Sequence, residues 1–218
     1  MRRLRPRLME LAEASYREFA RRLIPGEPRL LGVRLPRLRE IAKEEARAGA
    51  WRLRTGDDAY VEELMLRGMA IGYARGVGLP ERLRELERFV PLIDNWSVCD
   101  SSCSTYAFAR AHREAMWEWL QGWLRAREEY AARFGAVMLL MHYKQEKAWA
   151  ERVAAALPQM RAEAYYAEMA AGWCACELCL LYPELAPGLL SSLRERVRRM
   201  AQRKLRESRR KLPPGALI

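Results

Sequence analysis

Long apolar runs are missing from this 218-residue chain: the longest, residues 134–141, is far below the roughly 20 residues that span a bilayer, so no transmembrane segment is expected. Histidine is scarce. His112 and His142 stand far apart and unaccompanied, which suits ordinary surface or core positions better than metal ligation. Strand-like alternation bounded by turn residues is absent as well, which removes a sheet from the expected fold. A secretory leader is not expected, because Glu10 and Glu13 interrupt the apolar stretch that should follow the basic start at residues 1–7.

Cysteine is present without the pattern of a disulfide framework. Cys99, Cys103, Cys174, Cys176 and Cys179 sit inside helical patterns, not in the loops of a small secreted scaffold. Reduced packing thiols in a cytoplasmic protein are expected. The run Cys174-Ala175-Cys176-Glu177-Leu178-Cys179 has no nearby histidine and lacks the paired CxxC spacing of zinc modules, so no metal is expected there.

What the chain does have is helix-forming material and positive charge. Half of the residues are hydrophobic and 31% are charged, which excludes disorder and suits amphipathic helices packed into one domain over residues 1–218. The formal charge is +11, and its location says more than its size. Residues 194–211 hold ten basic residues against two acidic, a net +8 on one basic terminal helix expected at about 187–211. Arg2, Arg3, Arg5 and Arg7 add a second cluster. Side-by-side cations repel unless a polyanion neutralises them, and release of that polyanion's counterions drives nucleic-acid binding. The bland alternative is a solvated basic helix without a partner. A membrane surface fits less well, since Leu193, Val197, Met200 and Leu205 form only a narrow apolar stripe, as expected for packing on a neighbouring helix.

Proline and glycine punctuate about ten helices, near 6–23, 36–48, 58–75, 80–90, 95–109, 112–125, 127–143, 145–156, 162–181 and 187–211. Three of them look alike around Tyr60, Tyr130 and Tyr166, which lie 70 and 36 residues apart. A unit of about 35 residues fits both intervals, with the helix at Trp96 filling the missing place. That period belongs to an α-solenoid, in which stacked helix pairs line a concave face.

On the helix that follows Asp94 and Asn95, Trp96 and Asp100 are four residues apart and share a face. Each has an ordinary reading, the indole as a core anchor and the carboxylate as a first-turn acid that favours the helix dipole. The repeat, however, puts Arg133 and Trp173 on the equivalent inner helices of the next two units, toward one groove. Two aromatic faces, a carboxylate and a guanidinium describe a site for breaking a sugar–base bond, whose transition state is oxocarbenium-like.

Five ordered segments carry a family resemblance. They are Leu23-Ile24-Pro25, Leu31-Gly32-Val33-Arg34-Leu35-Pro36 with Arg37-Leu38-Arg39, residues 89–100 ending in Asp94-Asn95-Trp96-Ser97-Val98-Cys99-Asp100, residues 133–140, and residues 165–173. Over about residues 6–211 the chain resembles the HEAT-like-repeat DNA alkylation-repair glycosylases, the AlkD-like family. The resemblance implies an all-α, right-handed superhelix of stacked antiparallel helix pairs that cradles duplex DNA. It also implies hydrolysis of the N-glycosidic bond of cationic alkylated purines of the 3-methyladenine and 7-methylguanine type, without base flipping and without metal or cofactor. The family's aromatic–carboxylate pair carries over onto Trp96 and Asp100, its DNA-contacting arginine onto Arg133 and its second aromatic onto Trp173. The expected catalytic residues are thus Asp100, Trp96 and Trp173. The expected DNA-binding residues are Arg133, Lys144, Lys147, Arg203, Lys204, Arg206, Arg209 and Arg210. A cytoplasmic monomer acting on duplex DNA, with no membrane and no obligate protein partner, follows. Two alternatives stay open, a noncatalytic DNA-structure binder on the same scaffold and a helical-repeat adaptor that holds a peptide.

Overall fold

A computed structural model describes residues 1, 3–26 and 28–210. Among the described residues there is no strand, and no helix is long and apolar enough to cross a membrane. The all-helical expectation holds. The helices are α1 (Arg5–Glu10), α2 (Ala14–Arg21), α3 (Leu35–Arg47), α4 (Val61–Tyr73), α5 (Leu79–Phe89), α6 (Trp96–Cys103), α7 (Phe108–Ala111), α8 (Arg113–Leu124), α9 (Glu129–His142), α10 (Lys147–Ala156), α11 (Tyr165–Leu181), α12 (Ala186–Ser192) and α13 (Glu195–Glu207). The chain divides into two compact units, Met1–Phe108 and Ala109–Ile218.

In the first unit α4 is the central element, packed against both α3 and α6. It is buried almost throughout, from Val61 to Ile71. Proline in the first turn starts α1, α3 and α5, where its missing N–H costs nothing. The buried Glu62 carboxylate accepts the N–H groups of Leu31, Gly32 and Val33 and so holds the loop before α3 onto α4. Glu63 accepts the Tyr60 N–H at 3.0 Å and receives Arg5 at 2.8 Å, tying α1 to the same helix start.

The second unit repeats the plan, with α9 packed on α8 and α11, and α11 packed on α13. Tyr130 stacks on Tyr166 at one end of the α9–α11 pair and Lys144 bonds Glu177 at the other, so these two helices run parallel. In the first unit Ser97 meets Met65 and Thr105 lies against Gly72, so α6 is parallel to α4 in the same way. Cross-helix hydrogen bonds in the second unit repeatedly join residues 30 to 38 apart. This is the arrangement of a helical solenoid, in which each pair packs on the next.

Three helices differ from the sequence expectation. The segment 6–23 is two helices, α1 and α2, because Glu13 is extended and gives its N–H to the Gly32 carbonyl at 3.0 Å instead of to a helical partner. The segment 95–109 breaks after Cys103 and becomes helical again only at Phe108; between them the chain turns through Ser104, where hydroxyls of Ser104 and Thr105 donate to the Ser101 and Ser102 carbonyls. Such local bonds compete with continuation of the helix. The basic terminal helix is likewise not continuous: Leu193 is extended between α12 and α13, and the Ser191 and Ser192 hydroxyls donate to the Gly188 and Leu189 carbonyls just before the break. Lys211 lies outside the described residues.

Close approach of the inner helices depends on glycine. A Cβ on Gly68 would fall 2.0 Å from Ser102 Oγ and 2.4 Å from the Phe89 ring, whereas one on Gly122, inside α8, would meet nothing within 4 Å. Gly68→Ala is therefore expected to destabilise by about 1–3 kcal/mol through overpacking, and Gly122→Ala to stabilise by about 0.4–1 kcal/mol. Urea unfolding of both variants checks the pair, and equal midpoints would contradict the packing described.

Candidate nucleic-acid interface

Asn95 begins α6. Its backbone is extended and its side-chain oxygen accepts the Val98 N–H at 3.0 Å, while its amide donates to Asp94 at 2.8 Å. This cap sets the rotation of α6 and with it the shared face of Trp96 and Asp100. Both side chains are half-buried. The Trp96 indole N–H donates to the Leu23 carbonyl, just past α2, at 3.1 Å. The ring is thereby held by its N–H edge.

In the second unit Arg133 is only 2% exposed, and its guanidinium donates to the Tyr166 carbonyl at 2.9 Å. One turn earlier, the Glu129 carboxylate accepts the Tyr166 N–H at 2.6 Å. These two bonds and the Tyr130–Tyr166 stack lock the first turn of α11 onto α9. Trp173 lies on α11, half-buried, on the same helix face as Tyr165 and Met169 by its i, i+4, i+8 spacing. The structure thus joins Trp96 with Asp100 in one unit and Arg133 with the helix of Trp173 in the other.

The cations of the second unit are more engaged than their count suggests. Glu177 receives Lys144 at 2.8 Å and Arg210 at 3.1 Å, Glu184 receives Lys147 at 2.8 Å, and Glu207 receives Arg203 at 2.7 Å. Further back on α13, Arg196 meets the buried Glu168 and Arg194 meets Glu163. Lys144 and Arg210 hold Glu177 below the ordinary carboxylate range against the opposing effect of burial. Lys204 and Arg209 make no ion pair among the described residues, and Arg206 is exposed.

All five cysteines are buried and unbridged. Burial pushes the thiols of Cys174 and Cys179 up to about 12 and that of Cys176 up to about 11, so all three stay protonated at neutral pH. His142 is buried in the last turn of α9, and His112 is exposed ahead of α8. A basic stripe on α3 escaped the sequence reading. Arg39, Lys43 and Arg47 recur at i, i+4 and i+8, a signal that the clusters at the two ends of the chain overshadowed.

A family model described as DNA alkylation repair enzyme matches residues 4–212. Comparison with curated proteins and with solved structures returns no match.

Replacing Arg133 tests its packing role apart from any ligand. Arg133→Ala removes the buried bond to Tyr166 and is expected to cost about 1–3 kcal/mol. Thermal unfolding followed by circular dichroism reads the change, and an unaltered midpoint would show that the guanidinium adds nothing net to the fold.

Proposed function

The chain belongs to the DNA alkylation repair enzyme family, and from that premise we propose that it is a DNA glycosylase. It binds duplex DNA and hydrolyses the N-glycosidic bond of cationic purines alkylated at N3 or N7, without flipping the base into a pocket. The observation that carries this reading is the pair Trp96 and Asp100, one turn apart on α6, with the indole held by the Leu23 carbonyl.

An alkylated purine already carries positive charge, so its departure needs no general acid. The bond electrons leave with the base, which becomes neutral, and the sugar becomes oxocarbenium-like. Water adds at the anomeric carbon and gives up a proton. Asp100 stabilises the sugar cation and orients that water, while the indole of Trp96 offers its negative π density to the same charge, and Trp173 is proposed as the second catalytic aromatic. With its N–H committed to Leu23, Trp96 contributes through its face alone.

Arg133, Lys144, Lys147, Arg203, Lys204, Arg206, Arg209 and Arg210 are proposed to meet backbone phosphates, which fix position without reading sequence. Exposed ion pairs are worth roughly 0–1 kcal/mol, so exchanging Glu184 or Glu207 for phosphate costs little. The protein is proposed to act as a cytoplasmic monomer.

Changing Arg203, Lys204, Arg206, Arg209 and Arg210 to Gln is expected to weaken duplex binding and to flatten its salt dependence, by up to about 0.9 in slope for each phosphate that is no longer neutralised. A titration from low to moderate salt measures this, and an unchanged slope removes α13 from the footprint.

Asp100→Asn separates catalysis from binding. A charge that acts mainly in the transition state should slow excision by ~10²–10³ while leaving affinity nearly intact. Single-turnover release of 7-methylguanine, beside anisotropy titrations on abasic-site DNA, measures the two. Equal excision rates would take Asp100 out of the mechanism, and no excision by wild type on any methylated duplex would leave a noncatalytic DNA binder.

A further inference from the structure

The carboxylates of α3 are engaged by other helices or by their own neighbours. Glu40 pairs with Arg37 at 3.0 Å, Glu44 with Arg7 at 2.6 Å, and Glu45 with Arg3. The stripe of Arg39, Lys43 and Arg47 is left without an ion pair among the described residues. Lys43 and Arg47, together with Arg75 just past the end of α4, line a cavity of about 520 Å³ whose other walls include Tyr73, Ser104 and Thr105. No carboxylate lines it. The Lys43 ammonium lies 5.4 Å from the centre of the Tyr73 ring. Three exposed cations around a space with no counter-charge form an anion site in electrostatic terms.

Helix ends are the competing explanation, because α4 and α6 both finish here and last-turn carbonyls attract positive charge. Carbonyls at both ends are already served from within. The Arg82 guanidinium donates to the Ile71 carbonyl in the last turn of α4 and to the Ala74 and Val77 carbonyls in the loop that follows. At the end of α6 the Ser104 and Thr105 hydroxyls donate to Ser101 and Ser102 at 2.7 Å. Lys43, Arg47 and Arg75 are not needed as caps.

The place of this cavity on α6 says which anion it suits. Trp96, Asp100 and Ser104 follow one another at i, i+4 and i+8, so the wall at Ser104 lies about 6 Å beyond Asp100 along the same helix face. A DNA strand rises about 3.4 Å per nucleotide and carries one phosphate at each step. We infer that the basin of Lys43, Arg47 and Arg75 holds a backbone phosphate of the reacting strand, one or two nucleotides from the sugar at Asp100. This rests on the reading that Asp100 stands beside the reacting sugar.

The test uses 7-methylguanine duplexes in which one phosphate at a time, up to two nucleotides on either side of the lesion, is replaced by a neutral methylphosphonate. Each is titrated against wild type and against Lys43→Gln/Arg47→Gln/Arg75→Gln. Wild type is expected to bind roughly tenfold or more weakly at one of these positions, as when a charged hydrogen bond is removed. The triple variant should show that weakening on the all-phosphate duplex and no further weakening at the same position, the non-additivity of two partners in one interaction. The charge-preserving variant Lys43→Arg/Arg47→Lys/Arg75→Lys should retain the wild-type pattern, which a merely structural role would not produce. An equal methylphosphonate effect in wild type and the Gln variant, no sensitive position in that window, or a Gln variant that binds like wild type would each overturn the inference. Failure of wild type itself to bind any duplex would instead overturn the DNA-binding reading and this inference with it.

Discussion

Everything in this fold hangs on how closely parallel inner helices can approach, and glycine sets that distance. Gly68 and Gly72 are one turn apart on α4 and leave room for Ser102 and Thr105 beside α6, where a Cβ would fall 2.0 and 2.1 Å from their hydroxyl oxygens. Gly172 does the same for α11 and α13, where the nearest atoms are Met200 Cβ and the Ala201 nitrogen, and Gly135 lets α9 lie on the last turn of α8. Interiors packed this densely transmit small changes of volume as shifts of backbone. The rotation of α6, and so the face that presents Trp96 and Asp100, is therefore fixed from behind by two missing methyl groups as well as by its own Asn95 cap.

Charge is arranged by a second rule. Two carboxylates serve backbone N–H groups across helices: buried Glu62 holds the loop before α3, and half-buried Glu129 holds the start of α11, while buried Glu45, Glu85 and Glu168 receive arginines. Surface acids mostly serve arginines one helix pair away, such as Glu163 with Arg194 and Glu146 with Arg113. The net charge of +11 is what remains after this internal pairing. It is concentrated where carboxylates have been used up or are absent, on part of α13 and on the stripe of α3. Exposed pairs are weak and salt-sensitive, so such a surface can trade its own acids for an external polyanion without disturbing the core.

How much of this was legible in the sequence follows from the range of each interaction. Helical periodicity is local, so the all-helical fold, the turns marked by proline and glycine between helices, and the shared face of Trp96 and Asp100 could be read from spacing alone. The interruption at Leu193 was hidden, because serines fit a helix surface as readily as they bond back to its carbonyls. Arg133 read as a surface guanidinium, yet it lies buried against Tyr166, a neighbour brought there by stacking of helix pairs and not by adjacency in the chain. Counting residues 194–211 as +8 likewise missed Glu163, Glu168 and Glu177, which belong to earlier segments and reach α13 only in the folded state.

The hydrogen bond from Trp96 to Leu23 stands apart from the regular cross-helix bonds because it joins residues 73 apart, about twice the usual separation in this fold. Treated as closure of a bare loop, each doubling of length adds about 0.6 kcal/mol of entropy loss. The increment is small because α3 and α4 fold between the two ends and shorten the effective loop. Its meaning is topological: interactions one repeat apart give the chain a low contact order and let it assemble stepwise, whereas the tether on the indole requires α2, the α4 layer and α6 to be in place together. The most distant segment of the first unit thus reports on the integrity of all the layers between, through a single carbonyl on a single ring.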